Sequence, residues 1–255
     1  MAINVNLELT DHCNIKCPMC SQSMRDDAHG TPKRFMSWES WKASLQGLVG
    51  MDEPVHLCPH WLGEPTIHPE FDAFVEYAFA LNLNRRLFAE FKLHTNAVVF
   101  NQKRAELLVE LANQEGTHPD CFRFIHFSID AFSEEAYKKV KGADHRDRVF
   151  RNVETFLRTR DAMGAKRPYA HLAFVVQPDN ASEAEHFMNH WWGILHDIGS
   201  TPALCWDWPH QDQDAIYFRP LNSGDQEASD ALHADVCKRL GIHEGGPRIR
   251  AAESF

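Results

Sequence analysis

The sequence predicts an α/β fold of six parallel strands, each followed by a helix on the outside of the sheet. Short segments that alternate apolar and polar, the strand period, take turns with longer segments whose apolar residues recur every three to four positions, the helix period. Six strand–helix units in succession require parallel strands joined by helical crossovers. The chain of 255 residues contains no internal repeat, low-complexity stretch or separating linker. The reading is residues 1–224 as one α/β unit, with residues 225–255 as a helix and tail packed on it.

The first strand is Ile3-Asn4-Val5-Asn6-Leu7-Glu8-Leu9, which alternates throughout. Residues 21–33 are polar, end in Gly30-Thr31-Pro32 and read as a mobile connection. Ser37 caps a helix with an inner face of Trp38, Trp41, Leu45 and Leu48, which Gly50 ends. Val55 to Cys58 is a short buried strand. A helix after Pro69 turns Phe71, Phe74, Val75, Ala78 and Phe79 to one side. Residues 87–95 form the third strand and 102–114 a helix. Residues 121–129 form the fourth strand; Ser133 caps a short helix and 148–163 is a longer one. Residues 169–176 are the fifth strand, and Asn180 with Glu183 spells a capping box before the next helix. Residues 215–218 are the sixth strand, residues 225–240 the last helix, and the tail from Gly241 is expected to fray.

Composition narrows the function. The net charge is −10 and there is no basic run, which argues against a nucleic-acid or anionic-membrane surface. No stretch is long and apolar enough for a membrane span, and no signal-peptide pattern opens the chain. A cytoplasmic setting, where thiols stay reduced, is the expectation. Seven cysteines, four of them (Cys58, Cys121, Cys205 and Cys237) scattered singly, do not make a disulfide framework. The sixteen histidines are dispersed along the sequence; most read as surface or loop residues, and none is assigned as a ligand in the main reading.

The other three cysteines carry the chemistry. Cys13, Cys17 and Cys20 fall within eight residues on the loop that leaves the first strand. Three thiolates on one loop can converge on a metal centre and leave one position open, where a substrate or cofactor binds. A zinc site with His12 as fourth ligand, or three reduced thiols, is the alternative use. The motif Cys13-Asn14-Ile15-Lys16-Cys17-Pro18-Met19-Cys20 resembles the cluster motif of radical S-adenosylmethionine (SAM) enzymes, in the branch whose larger members carry a C-terminal SPASM or twitch extension. The resemblance implies a partial (β/α)6 barrel and one 4Fe–4S cluster held by Cys13, Cys17 and Cys20. It further implies SAM as cofactor, cleaved to a 5′-deoxyadenosyl radical that abstracts substrate hydrogen, and an external electron donor such as flavodoxin or ferredoxin.

Further segments resemble the family's SAM-binding elements. Gly63-Glu64-Pro65 follows the second strand and resembles the element that holds the SAM amino group. Thr95-Asn96-Ala97 ends the third strand and resembles the element beside the SAM carboxylate, which implicates Asn96. Ser128-Ile129-Asp130 ends the fourth; Ser128 is expected on SAM, and Asp130 facing substrate or SAM. Gln177 follows the fifth strand within reach of SAM, and Arg219 follows the sixth, where a substrate carboxylate or phosphate is one use. Met19 stands where much of the family has an aromatic against the adenine, and packs apolarly in its place. Cys58 is a candidate hydrogen-atom donor to a substrate radical. The segment Cys205-Trp206-Asp207-Trp208-Pro209-His210 reads as a loop before the last strand, near the barrel mouth.

No run of cysteines follows the barrel for an auxiliary cluster, and no leader-binding segment precedes the first strand. The expected substrate is therefore a small biosynthetic molecule such as a sugar or amino-acid derivative. A peptide-modifying enzyme or a glycyl-radical activase is the second enzymatic reading, and a non-catalytic zinc or iron–sulfur protein the reading from another class. Oligomeric state is not legible in the sequence.

Overall fold

The computed structural model describes residues 2–21, 23, 34–209, 212–243 and 248–249. Its spine is a curved run of parallel strands: β1 (Ile3–Asn6), β2 (Val55–Cys58), β3 (Glu90–Phe91), β4 (Leu93–Thr95), β5 (Phe124–Ser128), β6 (Tyr169–Val176), β7 (Ala203–Cys205) and β8 (Ala215–Pro220). Hydrogen bonding orders them β1-β2-β3 in one sheet and β4-β5-β6-β8-β7 in the next. Lys92 joins the two: its amide donates to Leu57 O at 2.9 Å, so β3 and β4 are one bent strand. The expected third strand over 87–95 is thus shorter and broken. Among the described residues no pairing links β1 to the far edge, so the strands form an open barrel, as the six-strand reading expects.

The helices are α1 (Trp38–Gln46), α2 (Phe71–Arg85), α3 (Gln102–Asn113), α4 (Glu134–Lys141), α5 (Arg146–Ala162), α6 (Ala184–Asp197) and α7 (Gln226–Arg239). Ser37 and Ser133 cap α1 and α4 by accepting from the amides of Ser40 and Ala136. The apolar stripes sit where period 3.6 places them. Trp41 is fully buried, stacks on Phe74 at 5.6 Å and donates its indole N–H to Phe74 O at 2.9 Å.

The strands divide their side chains between two faces. Leu57, Phe91, Leu93, Ile125, Phe127, Leu172, Phe174, Ile216 and Phe218 belong to the main apolar core beneath the helices. The intervening residues Cys58, Lys92, His94, Phe124, His126, Ser128, His171, Val175 and Arg219 line the lumen. The sheet therefore separates a large apolar layer from a chamber lined by polar and apolar side chains alike, and the loop residues His60, Trp61, Trp208 and Pro209 border that chamber.

Four expectations need correction. First, α1 ends at Gln46 with Gly47 as its cap, before Gly50. Second, Cys205, read as the start of a loop, ends β7, which runs parallel to β8 with Ala203 opposite Ala215; a three-residue strand shows too little alternation to declare itself. Third, Asn180 and Glu183 form no capping box: Asn180 makes no cap bond to the short 3₁₀ turn at 181–183, and the Glu183 carboxylate instead accepts from the amides of Phe132 and Ser133. Fourth, within the tail, β9 (Arg248–Ile249) pairs antiparallel with β7. The expected mobile connection at 21–33 lies, apart from Ser21 and Ser23, outside the described residues, as does the rest of the tail from 244.

Candidate active site

The loop carrying Cys13, Cys17 and Cys20 is held down from several sides. Ile15 and Cys17 are buried in the apolar core, and the Cys20 amide donates to Cys17 O at 3.0 Å, closing a tight turn. Gly63 presses on the start of the loop: a Cβ there would lie 1.9 Å from Thr10 O and 2.8 Å from His12 O. Gly142, with φ +63°, presses on its middle, where a Cβ would lie 2.2 Å from Lys16 O. Both positions need glycine for close backbone approach. The Glu64 amide donates to His12 O at 2.8 Å, and the Glu8 carboxylate accepts from the amides of Leu62 and Gly63 at 2.6 and 2.7 Å.

Glu64 is a hub. Its carboxylate accepts from Thr66 N, Thr66 Oγ1 and Thr95 Oγ1 on one oxygen and from Asn96 N at 2.7 Å on the other. It is 4 % exposed. Burial pushes it above the usual carboxylate range, while the amide and hydroxyl donors pull the other way. Glu64 thus staples the Gly63-Glu64-Pro65 turn to the end of β4. Pro65 opens the short 3₁₀ turn 65–67. From the end of β4, Asn96 reaches the cysteine loop: its Nδ2 donates to Asn14 Oδ1 at 2.8 Å and lies 3.4 Å from Cys13 Sγ.

On the opposite side, Asp130 takes a left-handed backbone (φ 64°) and is fully buried. Its carboxylate meets Lys141 Nζ at 2.7 Å, Ser128 Oγ at 2.8 Å and Val175 N at 2.9 Å. Lys141 also donates to Ser128 O and Ser128 Oγ at 3.0 Å. Asn180, fully buried, ties the two strand ends together by donating to Asp130 O and Val175 O and accepting from Gln177 N. Gln177 Nε2 reaches Met19 Sδ at 3.1 Å, so the residue after β6 touches the cysteine loop.

These contacts place the motif residues around one loop. Cys13, Met19, Gly63, Glu64, Asn96 and Gln177 are joined by direct contacts, while Ser128 and Cys58 look into the lumen. Asp130 sits behind Ser128, its oxygens already engaged. Among the described residues, no three potential metal ligands are gathered at binding distance; the fold gathers the loop and its supports. The donor set fits an iron–sulfur cluster. Three thiols share one loop, Asn96 offers an N–H to Cys13 Sγ, and the Lys141 charge favours the Cys17 thiolate against its burial. Burial, helped by Glu64, pushes the Cys13 thiol up to about 12, so it is protonated until a metal takes it.

Sequence reading missed the lumen's histidines. His94 and His126 stack with centroids 4.4 Å apart, and His60 lies tilted against His94 at 4.6 Å. His171 stacks on Phe124 at 4.4 Å. Tyr217 Oη lies 2.5 Å from His126 Nδ1. These histidines depart from the expected dispersal to surface and loops, because parallel register sets His94 opposite His126 and His126 opposite His171. A signal existed: Leu93-His94-Thr95, Ile125-His126-Phe127 and Ala170-His171-Leu172 each place a histidine mid-strand between outward-facing residues.

A family model described as the radical SAM superfamily matches residues 7–167. This chain belongs to the radical SAM superfamily. Members of that superfamily are enzymes that use a 4Fe–4S cluster and SAM, with an electron donor and a substrate. Among curated proteins, the tungsten-containing aldehyde ferredoxin oxidoreductase cofactor-modifying protein of Pyrococcus furiosus is 21 % identical over 211 residues, covering 83 % of this chain and 54 % of that protein. The chain therefore spans about half the length of this curated relative. Native anSMEcpe with bound AdoMet is structurally similar, with TM-score 0.56, 16 % identity and coverage of 86 % of this chain and 52 % of that one. Streptococcus suis SuiB bound to precursor peptide SuiA superimposes with TM-score 0.57 at 10 % identity, covering 95 % of this chain and 48 % of that one. At these identities the likenesses establish the radical SAM partial-barrel fold. Among the described residues, no helix is long and apolar enough to cross a membrane.

Proposed function

We propose that this chain is a radical SAM enzyme with a single cluster on Cys13, Cys17 and Cys20, acting on a small biosynthetic molecule held in the lumen. The observation that carries it is the junction of motif and chamber. The cysteine loop is clamped by Gly63, Glu64 and Asn96, and a cavity of about 610 Å³ is lined by Cys58 and Ser128 at the ends of β2 and β5 and by His60 and Trp61, just before Gly63. That volume suits a small-molecule ligand. Cys13, Cys17 and Cys20 would hold the cluster, which would supply the electron for SAM cleavage and with it the radical chemistry.

The chain's own residues bind and orient. Gly63, Glu64 and Pro65 set the backbone edge that receives the SAM amino group, and Asn96, Ser128 and Gln177 offer polar groups to the rest of SAM. Met19, against Gln177, gives an apolar face to the adenine. Asp130 is a positioning residue, holding Ser128 with Lys141. Cys58 lines the cavity, and burial keeps its sulfur protonated, as a hydrogen donor must be. Cys121, Cys205 and Cys237 are each buried in separate parts of the fold, which supports one cluster. Flavodoxin or ferredoxin is the class of electron donor, and a reducing cytoplasm suits the free thiols.

Anaerobic purification, iron and sulfide counts, and incubation with SAM and a reductant test the reading. About four irons per chain with 5′-deoxyadenosine formed is expected, and replacing Cys13, Cys17 and Cys20 by Ala abolishes both. About eight irons would refute the single cluster. Zinc without 5′-deoxyadenosine would refute the radical reading.

A further inference from the structure

The lumen carries a charge pattern that the cluster and SAM do not account for. Its lining includes two cations, Lys92 and Arg219, and, among the described residues, no Asp or Glu, in a chain of net charge −10. Lys92 is already served, with Glu90 Oε2 at 3.5 Å and Asn4 Oδ1 at 3.3 Å. Arg219 is different. Its guanidinium lies 5.3 Å from the Trp208 ring centroid and forms no ion pair among the described residues. It stands at the C-terminal end of β8, in register with Val175, on the side where the motif loops gather. Trp208 is itself fixed over the chamber, with Tyr217 at 5.7 Å, His126 at 5.7 Å and His94 at 5.8 Å.

We infer that the lumen binds a small molecule carrying one oxyanion, a carboxylate or a phosphate monoester. The acid pairs with Arg219, and the body of the molecule lies against Trp208 and the His94–His126 stack. A planar guanidinium held on an aromatic ring presents its N–H fork to two oxygens at once. A half-buried cation without a protein partner favours a ligand that brings the charge. The histidines supply donors and acceptors for hydroxyl or carbonyl groups without adding charge, since burial keeps them neutral near pH 7. The inference rests on the lumen being the substrate chamber, and it names the substrate class.

The probes are phenyl phosphate, benzoate and, as a neutral control of similar shape, benzamide. Each is titrated calorimetrically into the cluster-loaded protein, with and without SAM. At least one acid is expected to bind saturably and at least about tenfold more tightly than benzamide; which acid wins separates a phosphate from a carboxylate substrate. Arg219→Gln is expected to weaken the acid about tenfold without changing benzamide, Arg219→Lys to recover part of the loss, and the surface variant Arg158→Gln to match the parent. Melting curves confirm that each variant is folded. Acids no tighter than benzamide, or an acid affinity unmoved by Arg219→Gln, overturn the inference. So does a larger loss of SAM affinity than of acid affinity in Arg219→Gln, which would assign Arg219 to SAM. Arg219-dependent acid binding in a protein that forms no 5′-deoxyadenosine would leave this site standing while the proposed activity fell.

Discussion

Asn96 Nδ2 stands 3.4 Å from Cys13 Sγ while its backbone amide donates to Glu64 Oε2 at 2.7 Å. One residue therefore links the carboxylate hub, the end of β4 and the first cysteine. An N–H aimed at sulfur stabilises the thiolate and tunes the metal it binds. Asn96→Ala is expected to shed iron to a chelator about tenfold faster than the parent. Asn96→Asp, which sets a negative charge beside the sulfur, is expected to lose iron faster still. Iron release followed by absorbance checks both, and an unchanged rate removes Asn96 from the cluster's support.

Gly63 and Gly142 hold the cysteine loop by close backbone approach, so even a methyl group is excluded. Gly63→Ala and Gly142→Ala are each expected to cost about 1–3 kcal/mol in denaturant unfolding. Both are expected to lower iron per chain. Gly164 has φ +65° with nothing near its Cβ position and serves as the comparison. Gly164→Ala is expected to affect stability through backbone strain alone and to leave iron content unchanged.

Lys141 and Asp130 form a buried ion pair at 2.7 Å, with side chains 2 % and 0 % exposed. Removing one partner strands the other charge away from water. Lys141→Met is expected to cost about 3–5 kcal/mol. The double variant Lys141→Met with Asp130→Asn is expected to regain more than half of that, because Asn keeps an acceptor for Val175 N and tolerates the left-handed backbone. Equal losses in single and double variants would show that the pair contributes little.

The lumen's imidazoles set an acid limit. Burial lowers His60 to about 4 and holds His94 and His126 well below the ordinary 6.5. In this direction the unfolded chain takes up protons that the folded chain refuses. Stability is therefore full above about pH 6.5 and falls as pH drops below it. Each imidazole still neutral at pH 5 contributes up to about 2 kcal/mol to that fall. Melting temperature measured between pH 7.5 and pH 5 checks the slope. His126→Phe is expected to flatten it, and a slope unchanged by that substitution would move its source elsewhere.

Local pattern carried the order of strands and helices, the caps at Ser37 and Ser133, and the cysteine loop after β1. Each of these depends on residues close in sequence, where periodicity and turn chemistry act directly. The same locality misled at Asn180 and Glu183. Their spacing fits a capping box, yet tertiary partners fifty residues away claim both side chains. Three-residue β7 escaped because its pairing with β8, not its own alternation, makes it a strand.

By itself the sequence determined a parallel α/β chain with three thiols on its first loop and a Gly63-Glu64-Pro65 turn after its second strand. Tertiary structure alone decided what faces what. It turned Glu64 into a staple, buried Asp130 against Lys141, brought His60, His94 and His126 into one cluster, and set Arg219 on Trp208 with no ion pair among the described residues. The physical reason is register. Alternation says which residues share a face of one strand, but only the pairing of strands, at a fixed offset, says which faces meet.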